Sequence, residues 1–152
     1  MQSLIGADQL SYEHVNSILQ RVEPTDSLRG RTVVTMFQEP STRTRLSFGI
    51  ASQKLGADYL DLPWSESSIL KGECASDTAM NLEAMGVDYL VLRHSNSNVV
   101  HDMADAVAKM SVINAGNGIE EHPTQALGDL LTLIKTFGPV SGLRVALVGD
   151  SK

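Results

Sequence analysis

Apolar residues recur along this chain in two alternating rhythms. Between residues 12 and 22, Val15, Ile18, Leu19 and Val22 keep the i, i+3, i+4, i+7 spacing of one helical face, and Pro24 ends the run. Residues 32–37 (TVVTMF) are β-branched and almost continuously apolar, as in a strand covered on both faces. After Glu39-Pro40-Ser41 a helical pattern resumes, with Leu46, Ile50 and Leu55 predicted to turn inward and Gly56 as its stop. Residues 59–62 read as a second strand, and 63–72 (PWSESSILKG), without a clean period, as a surface loop. The alternation then repeats: helix 75–85 ended by Gly86, strand 89–92 (YLVL), helix 99–110 and strand 111–114 (SVIN). A glycine-containing turn at 115–121 leads to helix 123–137, with Leu127, Leu130, Leu131 and Ile134 inward and Gly138-Pro139 at its end. Helices alternating with buried-type strands predict an α/β fold, a doubly wound parallel sheet with right-handed crossovers and helices on both faces.

The last stretch, residues 144–149 (RVALVG), has the pattern of one more buried strand, and no helix follows it before Lys152. An α/β unit is expected to continue from there. Residues 1–140 are therefore read as one domain and 141–152 as the first strand of a second, unless that strand pairs at a sheet edge or with another chain.

Composition narrows the class. At 152 residues and 42% hydrophobic, the chain has material for one core. A net charge of −6 without any block of like charges argues against a nucleic-acid footprint or a polybasic membrane patch, so an anionic ligand must meet local positive charge. The lone Cys74 can form no internal disulfide and has no paired spacing for zinc, which implies a reducing, cytoplasmic setting and no metal. The first residues lack a signal-peptide pattern and no apolar run reaches membrane-spanning length.

In a doubly wound sheet, ligands sit at the carboxyl ends of the strands, where helix N-termini aim free amides into a crevice. Three segments fall there. In residues 37–45 (FQEPSTRTR) a strand delivers the chain to a proline turn, and the next helix opens with the hydroxyls of Ser41 and Thr42 and with Arg43 in its first turn. Amides, hydroxyls and a guanidinium make a cradle for a dianion, distinct from a nucleotide P-loop, which needs G-x-x-x-x-G-K. The same residues also fit an ordinary cap with two solvated arginines. In His122-Pro123-Thr124-Gln125, proline suits the first helical position and so puts His122 at the cap and Gln125 in the first turn, for a site or merely as a polar cap. Arg93 follows strand YLVL, either reaching the crevice or lying on the surface.

Residues 37–48 (FQEPSTRTRLSF) resemble the signature of the carbamoyltransferase family. Residues 66–73 (ESSILKGE) resemble its mobile serine and lysine loop, Leu92-Arg93-His94 its strand-end arginine, and 114–131 (NAGNGIEEHPTQALGDLL) its histidine and glutamine segment. The resemblance runs in family order from about residue 30 to the chain's end. Glu39-Pro40 before STRT, Arg93-His94, Lys71-Gly72-Glu73 and the NAG turn before HPTQ resemble the aspartate branch. The departures are Cys74, where threonine commonly stands, and Gln38, where an aromatic is frequent.

The resemblance implies that Ser41, Thr42, Arg43 and Thr44 hold the phosphate of carbamoyl phosphate. It implies that Arg93 bridges phosphate and carbonyl, that His122 donates to the carbonyl oxygen, and that Gln125 accepts from the carbamoyl amide. Such a donor need not be charged and a helix N-terminus disfavours the imidazolium, so His122 is expected to be neutral at pH 7. It further implies that Ser68 (or Ser67) and Lys71 act in trans on a neighbouring subunit of a homotrimer. Glu39 and Arg45 read as structural, Glu39 with arginine partners in a second domain that also binds L-aspartate. No cofactor is implied. Two other readings remain: an ornithine-type or other carbamoyltransferase, sharing this half, and a non-catalytic carbamoyl-phosphate-binding or assembly subunit.

Overall fold

A computed structural model describes residues 3–21 and 27–149. Its elements in chain order are α1 (Tyr12–Leu19), β1 (Thr32–Phe37), α2 (Thr42–Lys54), β2 (Asp58–Asp61), α3 (Ala75–Ala84), β3 (Tyr89–His94), α4 (Ser97–Asp105), β4 (Ser111–Asn117) and α5 (Pro123–Phe137). The four strands form one parallel sheet in the order β2-β1-β3-β4. The chain thus moves outward from β1 to β2, then crosses back over β1 to build β3 and β4 on the other side.

The near-continuous apolar strands are explained by helices on both faces. Val34, Met36, Leu90, Leu92 and Val112 point to one side and pack against Ala79 and Leu82 of α3 and Val100 and Met103 of α4. The alternate residues Val33, Phe37, Val91 and Ala115 form a smaller core on the opposite side with Phe48 of α2. This is the period-2 division expected of a strand buried twice. The predicted α/β, doubly wound architecture is therefore the one observed.

Several boundaries differ from the sequence expectation for physical reasons. Strands β3 and β4 run on past 92 and 114, so Arg93 lies within β3 and Ala115, Gly116 and Asn117 within β4. Helix α4 starts at Ser97, where the Asn96 side chain accepts from the Asn98 amide, and stops at Asp105 rather than 110. It stops because Glu83 Oε1 accepts from the amides of Ala108, Lys109 and Met110 at 2.9, 2.5 and 2.8 Å, holding that turn out of the helix. The loop at 63–72 carries two 3₁₀ turns, Trp64–Glu66 and Ser68–Lys71. Helix α1 ends at Leu19, and its expected Val22 and Pro24 lie outside the described residues.

The inward face of α2 corrects the expectation. Leu46 and Ile50 are 57% and 52% exposed, and Leu55 is only half-buried. Gly49 and Ser52 face the sheet instead, because a side chain at Gly49 would come within 3.0 Å of the Tyr59 ring. Small residues let the helix approach, and the apolar period misleads. On α5, likewise, Leu127, Leu130, Leu131 and Ile134 are only half-buried, the helix lying along β4 and touching α1.

Residues 144–149 form no strand, and Leu147 and Val148 are 96% and 97% exposed. A strand exists only with a partner for its amides and carbonyls, and no described strand offers one. At the opposite end, Ser3 to Ile5 runs along β4. Leu4 N–H donates to the Val112 carbonyl, and Asn114 N–H donates to the Leu4 carbonyl. The edge of β4 is thereby covered. No helix among the described residues is long and apolar enough to cross a membrane.

Candidate functional site

The reversal of strand order falls between β1 and β3, adjacent strands from which the chain departs in opposite directions. At such a switch point the connections diverge and leave a crevice beyond the strand ends. The segment joining β1 to α2 and the end of β3 both open there, with the start of α5 alongside. An open groove of about 860 Å³ results, lined by Ser41, Arg43, Thr44, Ser47, Phe48, Ala51, Arg93, His122, Thr124, Gln125 and Gly128.

On its α2 side, Ser41 occupies the cap position but makes no side-chain capping bond; its hydroxyl donates to Thr44 Oγ1 at 2.9 Å instead. First-turn amides are thus not satisfied by a cap and carry the partial positive charge of the helix end. Arg43 is exposed and has no hydrogen-bond or ion-pair partner among the described residues. A free guanidinium beside free amides is an anion-binding arrangement. Arg45, on the same helix, instead lies 3.6 Å from Asp61, whose carboxylate accepts from buried Thr35 at 2.7 Å. Its expected structural role agrees with that contact.

Across the groove Arg93 is held from two sides. Its Nη1 donates to the Ala115 carbonyl at 3.1 Å, and its Nε lies 3.3 Å from Glu39 Oε2. The Nε contact is an ion pair without hydrogen-bond alignment, since that buried nitrogen has no hydrogen-bonding acceptor. Glu39 therefore finds an arginine within this chain, where a partner in a second domain was expected. Gly116 makes room for this arrangement: at φ +119 it is in a region L side chains avoid, and a Cβ there would stand 2.5 Å from Arg93 Nη1.

His122 is the cap residue of α5, with Pro123 at the first helical position as expected. Thr124 Oγ1 lies 3.3 Å from its Nδ1. A hydroxyl donating there leaves the ring proton on Nε2, the tautomer that can donate into the groove. The ring is held below the ordinary imidazole range, first by burial and then by the positive charge of Arg93, with Asp129 opposing. The expectation of a neutral His122 agrees in direction, although burial rather than the helix end is the main cause. Gln125 Nε2 donates to Asp129 at 2.8 Å, which leaves its amide oxygen as the acceptor.

The groove thus gathers Ser41, Arg43, Thr44, Arg93, His122 and Gln125, but not Thr42, which is exposed outside its lining. Ser68 is exposed and lines a separate depression with Glu66, Glu73 and Asn81. Ser67 is 6% exposed and donates to the Trp64 carbonyl at 2.7 Å. The side chain of Lys71 lies outside what the structure describes. Sequence reasoning missed Thr124, Asp129, Asn114 and Gly116, and also the contact of Trp64 with His94, ring centroids 4.5 Å apart. An i, i+4 Gln-Asp pair at the start of a helix was a usable signal for Asp129. Gln38 ties the two strand ends, its amide N–H donating to the Arg93 carbonyl and its side chain accepting from Ser95 N–H.

Fold and groove together define an anion-binding α/β domain whose cationic and neutral donors converge at a topological switch point. The family model for the aspartate/ornithine carbamoyltransferase carbamoyl-P binding domain matches residues 3–135, and the chain belongs to that family. Among curated relatives, it is 46% identical to the aspartate carbamoyltransferase catalytic subunit of Carboxydothermus hydrogenoformans, over 97% of this chain and 50% of the relative. It is 44% identical to the corresponding subunit of Geotalea daltonii, over 98% and 51%. The chain spans about half the length of these relatives. Aspartate transcarbamoylase from Trypanosoma cruzi, in complex with carbamoyl aspartate and phosphate, superposes with a TM-score of 0.82 at 36% identity, covering 91% of this chain and 46% of that one. Ornithine carbamoyltransferase from Pyrococcus furiosus gives the same TM-score at 32% identity, covering 91% and 47%.

Proposed function

We propose that this chain supplies the carbamoyl-phosphate half of an aspartate carbamoyltransferase. The reaction moves the carbamoyl group from carbamoyl phosphate to the amine of L-aspartate, giving N-carbamoyl-L-aspartate and phosphate for pyrimidine biosynthesis. The observation that carries this reading is the unpaired Arg43 beside the uncapped start of α2, facing Arg93 and His122 across one groove. Aspartate is favoured as acceptor by the 46% and 44% identity to two aspartate carbamoyltransferase catalytic subunits over almost the whole of this chain.

In the proposed mechanism the side chains of Ser41, Arg43 and Thr44 hold the phosphate, Thr42, whose side chain lies outside the groove, adds only its first-turn amide, and Arg93 bridges the phosphate to the carbonyl. As the amine attacks the carbonyl carbon, negative charge grows on the carbonyl oxygen, where neutral His122 donates, and then on the departing phosphate, where the guanidiniums already stand. Donors placed before the charge develops lower the barrier without reorganising, each worth about 100-fold to 1,000-fold in turnover. Gln125, its nitrogen turned to Asp129, accepts from the carbamoyl amide. Aspartate is met by a second domain of which residues 141–152 are the beginning. Ser68 and Lys71 complete a neighbouring subunit's site in a cytoplasmic homotrimer, and no metal or organic cofactor takes part.

The test is a calorimetric titration with inorganic phosphate. The wild-type chain binds it, and Arg43→Ala weakens binding about 10-fold to 100-fold, the loss of one charge-assisted contact. Equal affinity in the two proteins overturns the assignment.

A further inference from the structure

Asn114 is fully buried, 0% exposed, and lies outside the groove lining. Both ends of its amide are engaged. Nδ2 donates to the Ile5 carbonyl at 2.7 Å, and Oδ1 accepts from Gly116 N–H at 2.8 Å. Only one orientation of the amide satisfies both partners, because the first is an acceptor and the second a donor.

The Gly116 N–H and the Ala115 carbonyl belong to a single peptide unit, which is planar with the two groups pointing opposite ways. Asn114 holds the N–H end of that plane. The carbonyl end accepts from Arg93 Nη1 at 3.1 Å. Fixing the N–H therefore fixes the direction from which the carbonyl meets the guanidinium. Gly116 is the residue whose missing Cβ lets Arg93 come that close.

We infer that Asn114 is a positioning residue for Arg93, acting through the 115–116 peptide unit, with the N-terminal segment at Ile5 as its outer anchor. The inference deepens the proposed carbamoyl-phosphate site and rests on that reading for its consequence in binding. Asn114 never touches the anion. Its effect is to hold Arg93 in one rotamer before the ligand arrives, so that orientation is not lost again on binding.

The test compares wild type, Asn114→Ala and Val100→Ala, the last a buried core change in α4 that removes no hydrogen bond of Asn114, Gly116 or Arg93 and so controls for destabilisation alone. In each, the Arg93 Nε–Hε resonance is followed by NMR and inorganic phosphate is titrated by calorimetry. Asn114→Ala is expected to move the Arg93 resonance towards that of free arginine and to weaken phosphate about tenfold, the scale of one unsatisfied buried partner. Val100→Ala leaves both readouts at wild type despite a lower Tm. An Arg93 resonance and phosphate affinity unchanged in Asn114→Ala overturn the inference while leaving the site reading intact. If the unaltered chain does not bind phosphate, the site reading fails, and the Arg93 resonance still decides whether Asn114 positions it. Should Asn114→Ala fail to fold, hydrogen exchange at Gly116 in wild type decides: a protected amide is expected, and exchange at open-loop rates overturns the link.

Discussion

Removing the carboxylate of Glu39 should tighten anion binding. In the structure its Oε2 lies 3.3 Å from Arg93 Nε, so the guanidinium proposed to meet the phosphate is already partly neutralised. At that separation the gross attraction is about 1 kcal/mol at the dielectric of water and about 5 kcal/mol at an effective value near 20. The side chains are 22% and 33% exposed and the contact lacks hydrogen-bond alignment, so the lower end applies once screening and side-chain ordering are counted. A net coupling of about 1 kcal/mol converts to about fivefold in affinity. Glu39→Gln should therefore bind inorganic phosphate about fivefold more tightly in calorimetry at physiological salt, and by a larger factor at low salt, where screening is weaker. The gain must vanish in an Arg93→Gln background, because the two side chains act on each other. Affinity that is unchanged or weaker in Glu39→Gln refutes the competition and would make Glu39 a support that holds Arg93 ready.

Two further outcomes follow from titrating groups. His122 lies below its ordinary value of 6.5, so an NMR titration should find the ring neutral at pH 7. Because the folded value is the depressed one, its contribution to stability is complete above pH 6.5 and falls as pH drops from there through the folded value. A ring still protonated at pH 7 contradicts the assignment. Glu83 is held below its ordinary value of 4.5, chiefly by the amides of Met110 and Lys109, then opposed by desolvation. Glu83→Gln should lower Tm at pH 7, and the wild-type advantage should disappear as pH falls below 4.5 through the folded value; a constant difference across that range would show that charge plays no part.

The fold was legible where the apolar pattern had a single cause. Strands covered on both faces must be apolar throughout, so β1, β3 and β4 stand out from residues 32, 89 and 111 onward. Pattern failed on α2, where close approach to Tyr59 selects Gly49 and Ser52 for the inner face and leaves Leu46 and Ile50 outside. It failed again at 106–110, where three amides turn to a carboxylate 25 to 27 residues earlier in the chain. No local window contains that contact. The apolar run at 144–149 shows the converse: strand propensity without a neighbouring strand yields no strand.

The same division explains the site. Ser41, Arg43, His122 and Gln125 were legible because helix starts are marked locally, by a proline or hydroxyl that follows a strand, and helix starts are where a doubly wound sheet presents its amides. What aims Arg93 is not local. Its partners are Glu39, 54 residues before it, and Ala115, 22 residues after it, and the peptide unit at 115–116 is set by Asn114, itself tied to Ile5 109 residues earlier. A strand-end arginine in a sequence window could equally be solvated. Only the pairing of β3 with β4, bulged between Leu92 and His94, brings the Ala115 carbonyl alongside it. Groups that carry charge can thus be picked out from residue type and helix punctuation. The direction in which they carry it depends on contacts that exist only once the sheet is assembled.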